Sequence, residues 1–215
     1  MQTWFTADTH FGHDNIIKYC DRPFDSAESM RAELVRRWNE RVAVDDRVLV
    51  LGDFALGRIS ESLQVLDELN GVKDLVVGNH DRPFDPHPQR RIEWTAHYLA
   101  AGFRSVTNGT IGFKLAGRHP VLLGHFPYTG DSHGEDRYEE LRPYDAGLPI
   151  VHGHVHDTWR LNGRQLNVGV DANGFAPVSE DAVLAAFVAA GVLPEEVPRV
   201  GRHRMTSSPE SSIPY

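Results

Sequence analysis

Short apolar runs alternate with amphipathic stretches through the first half of the chain. Residues 4–7 (WFTA) form a predicted strand that runs straight into Asp8. Met30, Leu34, Trp38 and Val42 recur at helical spacing, so a helix is expected over 26–43, with Asp25 and Glu28 as a capping-box-like start. Residues 47–51 (RVLVL) are a short β-branched apolar run, hence a buried strand, and they end at Gly52-Asp53. Ser60 is placed to cap a second helix carrying Leu63, Leu66 and Leu69. Residues 74–77 (DLVV) are another buried strand, ending at Gly78-Asn79-His80-Asp81. Pro88 opens a helix through Ile92, Ala96 and Leu99, with Gly102 as its stop. Strands alternating with helices in this way argue for a parallel sheet.

The second half has a different rhythm. Strands are expected over 103–106, 111–115, 121–123, 149–152, 158–161 and 165–168, and Asn162-Gly163 marks a hairpin. Ser179 caps a final helix over 180–191. Two sheets, one from each half, would pack face to face. The expected class is therefore α/β, a four-layer α/β/β/α sandwich of two packed mixed sheets with flanking helices. One domain over residues 1–197 and a flexible polar tail over 198–215 complete the expectation; no repeat of fixed period is present.

Composition narrows the function. A net charge of −8 gives no broad electrostatic grip on DNA or anionic membranes, and the basic cluster from Arg199 to Arg204 sits in the tail. No membrane partner and no long nucleic acid are expected. The single cysteine, Cys20, forms no intrachain disulfide and is expected as a small buried hydrophobe. Without a leader-like start or an apolar run of about 18 residues, a cytoplasmic location is expected. The 12 histidines are the feature that demands explanation.

Chemically hard residues gather at strand ends: Asp8-Thr9-His10, Gly52-Asp53, Gly78-Asn79-His80-Asp81, Gly124-His125 and Gly153-His154-Val155-His156. Ligands collect beyond the carboxyl ends of strands in open α/β sheets. Carboxylate, amide and imidazole without thiolate suit hard or borderline divalent cations rather than a structural zinc site. His154 and His156, two apart on a strand, would face one way and each reach a different metal. Each motif alone has an ordinary structural explanation; together, in this order, they do not.

The set resembles the calcineurin-like metallophosphoesterase superfamily. The stretches Asp8-Thr-His-Phe-Gly-His13 and Asn167-Val-Gly-Val-Asp171 resemble a compact bacterial and phage branch of mostly unassigned substrate. The resemblance implies that Asp8, His10 and His156 hold a first metal, that Asn79, His125 and His154 hold a second, and that Asp53 bridges them. It implies two divalent ions, Mn2+ foremost with Fe, Zn, Ni or Mg as alternatives, and a hydroxide between them that attacks phosphorus. His80 would stabilise the transition state or protonate the leaving oxygen, and Asp81 would assist it or orient the loop. The resulting expectation is a phosphodiesterase acting on a small or nucleotide substrate. A small-molecule phosphomonoesterase and a silent binding module are the alternatives.

One departure matters. Serine/threonine protein phosphatases of the superfamily carry an Asp three residues after the bridging Asp; this chain has Leu56 there, which argues against that subfamily. His13, Arg22 and Arg82 are candidate substrate contacts. The segment 128–138, with Asp131, His133, Glu135 and Arg137, reads first as a solvated charged loop, with a lid beside His125 as the alternative. His87, His97, His119, His152 and His203 are assigned to structure or surface.

Overall fold

A computed structural model describes residues 1–132 and 135–194. His133, the tail from 198, its basic cluster and His203 lie outside the described residues.

Two five-stranded mixed sheets form the centre of an α/β fold. The first contains β1 (Thr3–Thr6), β2 (Arg47–Val50), β3 (Val72–Val76) and β4 (Ser105–Thr107), paired in parallel and in that order. The second contains β5 (Ile111–Leu115), β6 (His119–Leu123), β7 (Ile150–His152), β8 (Leu161–Asn162) and β9 (Gln165–Asn167), in the order β5-β6-β7-β9-β8. A tenth strand, β10 (Val178–Ser179), returns to the first sheet antiparallel to β1. The division between sheets therefore falls after residue 107, not before 103, and one late strand crosses back. A two-residue strand carries no period that a sequence pattern could reveal.

Side-chain alternation along the first sheet feeds two cores. Val48, Val50, Leu75 and Val77 face one way, toward α2 (Ala27–Arg41), whose Met30, Leu34 and Trp38 are buried against them. Phe5, Leu49, Leu51 and Val76 face the other way and meet Leu115, Leu123, Val151 and Leu166 of the second sheet. With both faces covered, residues 48–51 and 75–77 run as consecutive apolar positions, as buried parallel strands do. The last helix, α5 (Glu180–Ala189), adds Val183 and Phe187 to the inter-sheet core.

Several element ends differ from expectation. Ser26, not Asp25, caps α2: its side chain accepts the Ser29 N–H, and the Ser29 hydroxyl closes the box. The helix expected from Ser60 is one turn, α3 (Ile59–Ser62), followed by a 3₁₀ stretch over Leu63–Asp67, and Ser60 does not cap it. Leu63 and Leu66 at spacing three are buried by that tighter winding. A short helix, α1 (Asp14–Tyr19), was not foreseen. The helix α4 (Pro88–Ala100) begins at the expected proline. No described helix is long and apolar enough to cross a membrane.

Candidate metal centre

The β1–β2 ladder continues past the strand ends into the site. Asp8 N–H donates to Gly52 O at 3.0 Å and His10 N–H donates to Asp53 O at 3.0 Å, so three acidic or imidazole side chains leave adjacent paired segments. Gly153 N–H donates to His125 O at 3.1 Å, joining the loops after β6 and β7 in the same way. Both sheets thus deliver their loops to one place.

The backbone there is strained. Asp8, His10, Asp53, His154 and His156 have φ of 57°, 50°, 54°, 74° and 48°. Left-handed non-glycine residues cost roughly 1–3 kcal/mol each and persist where surroundings over-determine them. This corrects one expectation: β7 ends at His152, so His154 and His156 lie on a left-handed turn and do not project together from a strand. Their rings diverge. His154 Nδ1 lies 3.2 Å from Asn79 Oδ1, while the His156 ring stacks on His10 at 5.3 Å.

Asp53 lies at the middle. Its Oδ2 is 3.6 Å from His10 Nε2, 3.5 Å from His125 Nε2 and 4.0 Å from His80 Nε2. Its Oδ1 accepts the His80 backbone N–H at 2.8 Å. Donor atoms of Asp8, His10 and His156 lie within 4.8 Å of one another, and so do those of Asp8, Asp53 and His125. Asn79 Oδ1 is 3.0 Å from His125 Nε2, which ties Asn79 to the second group.

The residues fit divalent cations. Both ring nitrogens of fully buried His10 lack a hydrogen-bond partner, and an orphaned buried polar atom costs about 1–3 kcal/mol. Donors that share one cation at about 2.0–2.2 Å lie roughly 3–3.5 Å apart, close to the His–Asp53 gaps. Burial holds the His10 ring well below its ordinary pKa, so it is neutral and able to ligate. Burial likewise lowers His154 to about 3.

The outer partners fix the rings. His125 Nδ1 lies 2.9 Å from Leu51 O, which points Nε2 inward. His154 Nε2 lies 3.0 Å from Asp131 Oδ2, and His156 Nδ1 lies 2.9 Å from Asp171 Oδ2. Against the burial that would lower it, the bond to Asp171 raises the His156 pKa well above its usual value. Close backbone contact also shapes the site. A Cβ on Gly78 would stand 2.3 Å from Asp53 Oδ1, and one on Gly52 (φ 89°) would stand 2.4 Å from His125 Nδ1.

Two candidate substrate contacts, Arg22 and Arg82, and the expected loop or catalytic residue Asp81 do not line the cleft. The Arg22 guanidinium is buried, bonds Asp171 at 2.7 and 2.8 Å, and donates to Asp8 O at 2.7 Å and Thr9 O at 3.1 Å. It has no face left for a phosphate. Arg82 lies over the Trp94 ring, 5.7 Å from its centroid, and does not line the cleft. The Asp81 carboxylate accepts the backbone N–H groups of Asp53, Phe54 and Gly78 at 2.8–3.0 Å. Burial first, then the Asp53 charge, raises its pKa to about 7. These bonds give Asp81 the loop-orienting place that was one of its two expected roles.

His13 and His80 do line the cleft, which holds about 350 Å³ and also contains His10, Asp53, Asn79 and His154. His13 sits 5.5 Å from His10, ring to ring. Cys20, expected as buried, is half-buried and lines the cleft next to His156 and Asp171. Asp131, expected in a solvated loop, is 5% exposed and tied to Arg137 as well as His154. Asp171 and Asp131 are the residues that sequence reasoning missed. Asp171 closes the quoted stretch 167–171, but nothing local marks its partner.

The family model for calcineurin-like phosphoesterases matches residues 1–158. A gene 66 protein of Mycobacterium phage L5 is 37% identical over 188 residues, 80% of this chain and 87% of the relative. An uncharacterised protein of Methanocaldococcus jannaschii is 42% identical over 190 residues, 84% of this chain and 88% of the relative. A solved protein of unknown function from Aquifex aeolicus shares the fold with a TM-score of 0.66 at 24% identity, covering 86% of this chain and 98% of its own. With the family model matched from the first residue through the last histidine pair, the chain belongs to the calcineurin-like phosphoesterases, metal-dependent hydrolases of phosphate esters.

Proposed function

We propose that this chain is a phosphodiesterase on small or nucleotide substrates that works with two divalent cations, manganese foremost. Asp8, His10 and His156 would hold one cation, Asn79, His125 and His154 the other, and Asp53 would bridge. The observation that carries this reading is the position of Asp53 Oδ2, 3.6 Å from His10 and 3.5 Å from His125, between imidazoles from the two sheets. When bound, such a pair neutralises phosphoryl charge and makes water nucleophilic near neutral pH.

The chain's own groups supply the rest. His80 has a side chain 46% exposed and a backbone N–H anchored on Asp53, so its imidazole faces the cleft while its base is fixed. It is placed to protonate the leaving oxygen. Asp81 holds the loop that carries it. Asp131 and Asp171 hold the rings of His154 and His156 in the orientation that ligation needs. A cleft of about 350 Å³ leaves room for the two substituents that a diester carries.

The test is a paired assay. The protein is stripped of metal, reloaded with manganese, and offered bis-para-nitrophenyl phosphate and para-nitrophenyl phosphate. Metal-dependent turnover, greater for the diester, is expected. Preference for the monoester would replace the reading with a phosphomonoesterase, and absence of both turnover and bound metal would replace it with a binding module.

A further inference from the structure

We propose that Tyr19 is a stacking platform for a planar ring on the substrate, so that the esters this cleft selects carry an aromatic group, a nucleobase being the fitting class. The inference rests on the phosphoesterase reading and specifies the substrate of the same site.

Tyr19 closes α1 and lines the cleft together with Ile16 and Cys20 of the same segment. These three residues give the cleft an apolar stretch, whereas Ser132, Arg137 and Asp157 contribute polar lining. Ile16 is 3% exposed and Tyr19 is 74% exposed, so α1 anchors itself through Ile16, with Ile17 packed beside it, and leaves the aromatic side chain in the open. A lone exposed tyrosine is ordinary on a protein surface. This one lines the cleft of the candidate ligands and has a ring neighbour there.

Its ring meets the His13 ring edge to face, with centroids 6.2 Å apart at 73°. The His13 ring in turn is 5.5 Å from His10. Two ring-to-ring steps therefore lead from the candidate metal ligands to the tyrosine. A nucleotide with its phosphate at the metals and its sugar beside His13 would lay its base near that face. Stacking of a base on an aromatic side chain is worth about a 5- to 150-fold change in affinity.

The experiment compares two diesters with the same leaving group, thymidine 5′-(para-nitrophenyl phosphate) and methyl para-nitrophenyl phosphate, in wild type, Tyr19→Ala and Tyr19→Phe. The expected result is a KM preference for the thymidine ester that falls about tenfold in Tyr19→Ala and is retained in Tyr19→Phe, with kcat little changed. Calorimetric titration of the manganese-loaded protein with thymidine 5′-phosphate and methyl phosphate makes the same comparison without turnover. It stands even if the diester assay fails. Equal weakening of thymidine 5′-phosphate and methyl phosphate in Tyr19→Ala, or no change in their ratio, would overturn the platform.

Discussion

Asp53 uses its two oxygens differently: Oδ1 holds the His80 backbone N–H at 2.8 Å, and Oδ2 looks into the gap between His10 and His125. Removing the carboxylate takes away the oxygen that lies within 3.6 Å of both His10 Nε2 and His125 Nε2. Asp53→Ala is expected to bind neither metal and to show no hydrolysis, as measured by elemental analysis beside the diester assay. His80→Ala should keep its metal content and turn over about 10²–10⁴-fold more slowly, the usual contribution of a general acid. Metal loss in that variant would make His80 a ligand. The ligand-type residues were legible because each follows an apolar run and a tight turn. Arg22 was not: as a lone arginine it looks like a phosphate contact, and only the fold brings it to Asp171, 149 positions away.

At the scale of elements, β2, β3 and β4 are tied by Asp74. Its carboxylate accepts from Arg47 at 2.8 Å, from Ser105 at 2.6 Å and from Arg104. Burial alone would raise its pKa, but the bonds to Arg104, Ser105 and Arg47 outweigh it and hold the group below its usual 3.8. A carboxyl with a depressed folded-state pKa contributes stability that is complete above its unfolded pKa and is lost as pH falls through the folded value. Asp74→Asn is therefore expected to cost about 1–3 kcal/mol at pH 7 and to flatten the decline in stability below about pH 4. Urea unfolding at a series of pH values checks both. The helix starts show how far local pattern reaches. Pro88 and Ser179 were read correctly as starts, but Ser26 displaced Asp25 by one residue, since either side chain can cap and only the backbone turn selects between them.

At the scale of the molecule, the two sheets meet through a shared apolar layer and bring their loops to one edge. Phe5 is fully buried in that layer and meets Phe113 edge to face at 5.7 Å. Phe5→Ala should cost about 3–5 kcal/mol, read as a lower midpoint in denaturant. Asp8, Asp53 and Asn79 follow strands of the first sheet; His125, His154 and His156 follow strands of the second. A loosened sheet interface should therefore also weaken manganese binding, measurable by titration of the same variant.

The sequence by itself determined the α/β class, the strands that end in acid, amide or imidazole, and the chemistry those donors favour. These are local properties: a run of apolar residues, a glycine turn and a donor all lie within a few positions. The tertiary structure decided which strand joins which sheet, as with β4 and β10, because pairing depends on neighbours far along the chain. It also decided that Arg22, Asp81, Asp131 and Asp171 hold the site's framework. A charged side chain's role is set by the partner that satisfies it once it is buried, and that partner is chosen only when the two sheets close.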